Sequence, residues 1–233
     1  MGYYSNNSNL MGSDEIYESI KNRILTLELV PGQKISENHM CQEYNISRSV
    51  IRIVFTRLNK ENLIDILPQR GTYVSLFDLD HIKNLEILRT AVEKEIIFQI
   101  ITTLKDEEID NIVKRLKENL EKQLEYNECD NYDKEFEKVD YEFHQILYNS
   151  LGRESLLNLV SASMLHLVRW RAFNVAFDHR IKELIIEHSI IIEWIAERNI
   201  IEAQNALARH LKTVASMDKR AREQYPQYFK SAL

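Results

Sequence analysis

The stretch from Val30 to Ser75 constrains this chain more than any other. It reads V-P-G-Q-K-I-S-E-N-H-M-C-Q-E-Y-N-I-S-R-S-V-I-R-I-V-F-T-R-L-N-K-E-N-L-I-D-I-L-P-Q-R-G-T-Y-V-S. Ser36 is placed to cap a short helix that carries Met40 and Tyr44 toward a core. Asn45 suits the turn that follows, because Asn tolerates left-handed backbone. Ser47 is placed to cap a second helix by accepting a bond from an orphan backbone N–H, and Val50, Ile51, Val54 and Leu58 keep helical spacing behind it. Leu63 to Leu67 reads as a short apolar strand. Pro68-Gln69-Arg70-Gly71 reads as a turn in which Gly71 is free to take positive φ, and Thr72 to Ser75 as the return strand. Helix, turn, helix and hairpin in that order predict a winged helix-turn-helix.

Arg48 and Arg52 stand one turn apart on one face of the second helix, with Ser49 beside them. They occupy its N-terminal end, the end that enters a major groove. Arginine bonds guanine or phosphate through two N–H groups at once, so either role suits them. Arg57 lies nearer the helix C-terminus, placed for DNA backbone or solvent. Arg70 and Gly71 form the wing tip, where Arg70 can reach phosphates or a minor groove. Between residues 45 and 71 five positive residues stand against two negative ones, a local +3 in a chain of net charge −6. An arginine pair alone also reads as a solvated helix face. With turn, wing and Gly71 in sequence, the block predicts double-stranded DNA as a partner.

A length of 233 residues suits two domains. Five glycines and three prolines leave few helix breakers, so a mostly α chain is expected. Cys41 and Cys129 fit no disulfide framework and no zinc-ribbon spacing, which suits reduced thiols in a cytoplasmic protein. Residues 1–13 are polar and Asn/Ser-rich, expected to be a disordered extension rather than a signal peptide. No apolar run approaches a membrane span. The expected organisation is a winged helix-turn-helix over 14–77, a helical domain over 78–226 and a tail over 227–233. Six helices are expected in the second domain, as an antiparallel bundle: Asp78 to Thr103, one opened by a capping box at Thr103-Leu104-Lys105-Asp106, about Tyr132 to Asn149, about Arg153 to Phe177, Asp178 to Arg198, and Ile200 to about Tyr225.

The bundle holds a second constellation. Asp140 and His144 lie at i, i+4 in V-D-Y-E-F-H-Q-I-L, His188 in I-I-E-H-S-I-I-I, and His210 in A-L-A-R-H-L. Each histidine alone reads as a core residue with one nitrogen satisfied. Asp140 and His144 are one turn apart and able to bind one ion, which His188 and His210 would complete from facing helices. Such nitrogen and oxygen ligation suits zinc, nickel, manganese or iron.

The N-terminal block resembles the DNA-binding domain of GntR-type bacterial regulators. The resemblance rests on Leu29-Val30-Pro31-Gly32, Ile35-Ser36-Glu37, Ser47-Arg48, Arg52, Arg57-Leu58 and Pro68-x-Arg70-Gly71, and reaches upstream to Ile16-Tyr17-x-x-Ile20 and Ile24-Leu25. The family often has Thr-Pro-Val-Arg-Glu-Ala-Leu where this chain has Ser49-Val50-Ile51-Arg52-Ile53-Val54-Phe55, so operator preference is expected to differ. Some relatives carry a DNA-contacting arginine where Asn38 stands here. The bundle is similar to the effector (FCD) domain of the FadR subfamily. That resemblance implies a divalent metal on Asp140, His144, His188 and His210, and a small organic acid whose carboxylate takes open coordination positions. Arg89, in L-E-I-L-R-T-A-V-E, is the candidate for that carboxylate; pairing with Glu86 or Glu93 is the alternative. Arg169 and Arg171 rank below it.

Two functions follow. One is a homodimeric transcription regulator, expected to be a repressor, that binds a palindromic operator and responds to metal and metabolite. The other is a metal-dependent hydrolase-type enzyme using the same Asp and three His; it leaves the winged domain unexplained and has no general base at motif spacing. The expectation is no enzyme. A site in which the metal is only structural is a third possibility.

Overall fold

The computed structural model describes residues 12–128, 134–178, 180–212 and 218–230. The expected extension over 1–13 therefore lies almost wholly outside them, as do Cys129 and His179. Two compact units emerge, residues 1–76 with 227–233, and residues 77–226. The tail thus groups with the first unit, and Phe229 is buried.

In the first unit α1 (Ser13–Leu25), α2 (Glu37–Glu43) and α3 (Arg48–Lys60) pack around Ile16, Ile20, Met40, Ile51, Val54, Phe55 and Leu58. Ser36 caps α2 as expected, accepting from the His39 amide at 3.0 Å. Asn45 makes the turn at φ 52° and Asn62 ends α3 at φ 56°. Ser47 stands at the N-cap of α3, yet its hydroxyl bonds the Ser49 hydroxyl at 2.8 Å instead of a backbone amide. The wing pairs β2 (Ile64–Leu67) with β3 (Gly71–Val74), and a two-residue strand β1 (Lys34–Ile35), unforeseen from sequence, pairs with the other edge of β3. Gly71 has φ +114°, and a Cβ there would stand 3.0 Å from Lys34 Cε.

The second unit is helical among its described residues: α4 (Leu79–Thr103), α5 (Asp106–Leu124), α6 (Lys134–Ser150), α7 (Glu154–Ser163), α8 (Leu165–Asp178), α9 (Ile181–Ala196), α10 (Ile200–Leu211) and α11 (Asp218–Gln224). Its core joins Ile96, Ile100, Leu116, Phe143, Leu147, Ile191 and Leu207 from α4, α5, α6, α9 and α10. The expected helices recur with two differences. The segment from Arg153 to Phe177 is two helices that part at Met164, where no glycine or proline stands. The last one ends at Leu211, and α11 follows after 213–217, which lie outside the description. The expected box at Thr103 is also displaced. Thr103 closes α4 with its hydroxyl on the Gln99 carbonyl, and α5 opens at Lys105, whose amide is bonded by Glu108 at 2.9 Å. No described helix is long and apolar enough to cross a membrane.

Candidate metal centre and nucleic-acid interface

Asp140 and His144 share one face of α6, one turn apart; His188 comes from α9 and His210 from α10. All four are buried, and one ligand atom from each lies within 4.8 Å of the others. Ligands on one ion at about 2.0–2.2 Å stand about 3.3–3.6 Å apart at tetrahedral angles and about 4.4 Å apart when opposed, so the four side chains would draw in around an ion.

What orients the imidazoles is a set of acceptors behind them. His144 Nδ1 faces Glu93 Oε2 at 2.7 Å, His188 Nδ1 faces Gln123 Oε1 at 2.7 Å, and His210 Nδ1 faces Glu187 Oε2 at 3.0 Å. An acceptor at each Nδ1 assigns the proton there and turns an Nε2 lone pair inward. Gln123 is itself fixed. Its Nε2 donates to Asn119 Oδ1 at 2.7 Å, and Asn119 Nδ2 donates to the Val139 carbonyl at 3.0 Å.

The inward atoms then present a problem that a cation solves. His188 Nε2 and His210 Nε2 lie 3.2 Å apart with neither placed to donate, and His144 Nε2 is buried without a hydrogen-bond partner. These orphaned nitrogens and the Asp140 carboxylate are the donor set that a divalent ion takes. Burial holds His188 well below the ordinary imidazole value, aided by His210; burial does the same to His210, aided by Arg171. Burial also lowers His144, against the opposing pull of Glu93. All three are thereby neutral, as ligands must be. Burial alone would raise Asp140 and Glu93. Arg171 and the imidazoles hold Asp140 below the usual carboxylate range, and Arg89 and His144 do so for Glu93.

Beside the four residues lies a cavity of about 100 Å³ whose lining includes Asp140, His144, Arg89 and Arg171. Arg89 lines this cavity and donates to Glu93 at 2.6 Å, the pairing named as its alternative role. Arg171, ranked below Arg89, donates to Asp140 Oδ1 at 2.8 Å. Arg169 is buried with its guanidinium 4.5 Å from the Phe77 ring and does not line the cavity. The sequence offered no signal for Glu93, Gln123 or Glu187 as imidazole partners.

In the first unit Arg48, Ser49 and Arg52 are exposed along the first turns of α3. Arg52 donates to both oxygens of Glu37 at 3.1 Å. Ile53 is 56% exposed beside it. Arg57 pairs with Asp14 and lies 3.9 Å from the Tyr17 ring. Arg70 is exposed at the wing turn, with Gly71 half-buried after it.

Comparison with known proteins accords with both halves. Residues 13–74 match "Bacterial regulatory proteins, gntR family" and residues 85–213 match the "FCD domain". An "Uncharacterized HTH-type transcriptional regulator in unstable DNA locus" of Streptomyces ambofaciens is 29% identical over 92% of this chain and 88% of its own length. The "HTH-type transcriptional repressor RspR" of Escherichia coli is 25% identical over 93% of each. The solved structure of E. coli McbR/YncC superposes with a TM-score of 0.60 at 15% identity, over 93% of this chain and 98% of that one, a likeness of fold. With the second match spanning more than half of its 233 residues, the protein belongs to the GntR family of bacterial regulatory proteins, in the FadR-like branch that carries an FCD domain.

Proposed function

We propose that this DNA-binding transcriptional regulator is a cytoplasmic repressor whose helical unit holds a divalent metal ion and, beside it, a small organic acid. One observation carries the reading. Three buried Nε2 atoms and one carboxylate converge at the edge of a cavity lined by Arg89 and Arg171. A divalent ion held by Asp140, His144, His188 and His210 would offer open coordination positions to a carboxylate. The cavity has room for several water volumes, the size of a small acid. Arg48, Ser49 and Arg52 are the groove-facing set. Arg70 and Gly71 place the wing on the backbone or minor groove. Arg57 would contact phosphate only by opening its pair with Asp14. A homodimer on a palindromic operator completes the reading, because two-fold protein symmetry matches two-fold DNA symmetry. The relative named as a repressor supports that sign of regulation.

The hydrolase reading gains nothing. The relatives are regulators, and Glu93, an acid at the cavity, is already shared between Arg89 and His144.

The test is metal content after purification without chelator, for the native protein and for Asp140→Ala and His188→Ala. About one ion per chain, lost in both variants, supports the site. Absence of metal after incubation with zinc, nickel and manganese would sink it. Small carboxylic acids that raise the melting temperature of the loaded protein, and change its affinity for operator DNA, support the effector. A loaded protein indifferent to them leaves only a structural metal.

A further inference from the structure

We infer that Arg171 is a built-in rival of the metal ion: its guanidinium occupies Asp140 and crowds His210 when no ion is bound, and is released into the carboxylate cavity when one is. The inference rests on the metal and carboxylate reading above.

Arg171 stands on α8, a helix that contributes none of the four ligands. Its Nη2 donates to Asp140 Oδ1 at 2.8 Å and lies 3.5 Å from His210 Nε2. Those are two of the atoms an ion would take. Glu187 holds the His210 proton on Nδ1, so Nε2 offers a lone pair, as does His188 Nε2 at 3.2 Å. Facing lone pairs at that distance repel unless positive charge lies against them. The guanidinium supplies that charge and satisfies a carboxylate only 3% exposed. It does not satisfy His144 Nε2, which stays without a hydrogen-bond partner. Arg171 therefore balances the charge of the site while leaving its donor set unused.

The same side chain lines the cavity. Arg89 lines it too, with its Nε committed to Glu93 at 2.6 Å. Once an ion holds Asp140, Arg171 loses its carboxylate, and an organic acid in the cavity replaces it. Metal and acid then favour each other's binding reciprocally. A static Asp140–Arg171 pair makes the opposite prediction: losing Arg171 would misplace Asp140 and weaken metal binding.

The experiment titrates zinc into the full-length, chelator-stripped protein and its Arg171→Met and Arg171→Lys variants by calorimetry, with melting temperatures before and after loading. A hydrogen bond to a charged group sets the scale, so Arg171→Met is expected to bind zinc about ten- to a hundredfold tighter. It should melt below the native protein when stripped and close to it when loaded. Acetate, titrated into the loaded proteins, should bind Arg171→Met about tenfold more weakly. If Arg171→Met does not fold when stripped, Arg171→Lys carries the comparison, with a shorter reach and tighter zinc. Unchanged or weaker zinc binding in the folded variants overturns the inference and leaves the metal reading standing. A native protein that binds no zinc, nickel or manganese overturns both.

Discussion

Substituting Gln123 by Leu tests how far the imidazole partners set the chemistry of the centre. Gln123 Oε1 accepts from His188 Nδ1 and its Nε2 donates to Asn119 Oδ1, both at 2.7 Å, among residues at most 2% exposed. Leucine fills similar space and does neither. Two buried polar groups are orphaned at about 1–3 kcal/mol each, so the stripped protein should lose about 2–6 kcal/mol. His188 is then free to move its proton to Nε2, which lies 3.7 Å from Asp140 Oδ1. A nitrogen that bears a proton cannot ligate, and loss of such partners costs metal affinity about 10- to 100-fold. Gln123→Glu separates the two effects, since it keeps the acceptor for His188 and removes the donor for Asn119. It should lose stability with little loss of affinity. Denaturant unfolding of stripped protein and zinc competition against a chromophoric chelator measure both quantities. A Gln123→Leu protein with zinc affinity within twofold of native would refute the claim that this amide chooses the tautomer.

Three further expectations concern other parts of the molecule. Because burial keeps His144, His188 and His210 neutral, the stripped, unfolded chain takes up protons below the ordinary 6.5 that the folded one refuses; stability should therefore fall as pH drops, by at most about 1.4 kcal/mol per pH unit for each histidine, and pH-independent denaturation between 6.5 and 5 would contradict it. Asp140 and Glu93, held below the carboxylate range, add a second loss as pH falls past their ordinary 3.8 and 4.5. In fluorescence anisotropy Arg52→Ala should weaken operator binding, whereas Glu37→Gln, which releases Arg52, should strengthen it and leave melting unchanged; identical affinities in both would remove Arg52 from the interface. Gly71→Ala should cost about 1–2 kcal/mol for its left-handed backbone, with Lys34 giving way easily, and a melting curve unchanged by it would count against the wing geometry.

Local chemistry was the part of this protein that its sequence disclosed. Asp140 and His144 announce themselves because helical spacing puts them on one face. Asn45 and Gly71 do so because Asn and Gly take positive φ more readily than other residues. His188 and His210 were candidates to complete the set, and family resemblance tied them to it, since spacing within one helix says nothing about which helices face each other. The partners were hidden for the same reason. Glu93 and Gln123 lie 51 and 65 residues from the histidines they orient. Arg171 sat beside Trp170 with no pattern to lift it above Arg89. Strand β1 is two residues long, too short for alternation to register. The parting of α7 and α8 at Met164 carries no glycine or proline to mark it. At Thr103 the capping pattern was present, with Asp106 three residues on, but Lys105 has Glu108 at the same spacing and the Glu108 carboxylate takes the Lys105 amide, so the helix is capped two residues later.

The relay from Val139 through Asn119 and Gln123 to His188 runs in one direction only. A carbonyl oxygen accepts and never donates, so Asn119 must offer it an N–H, Gln123 must offer one to Asn119, and its oxygen is left for His188. Reversed, the same heavy atoms in the same places would present an amide N–H to His188 and push its proton toward Asp140. The pocket would then hold a self-satisfied pair, indifferent to cations. What forbids the reversal is the polarity of the main chain of α6, one residue before Asp140. That polarity is fixed when the peptide is synthesised, and no side-chain replacement edits it.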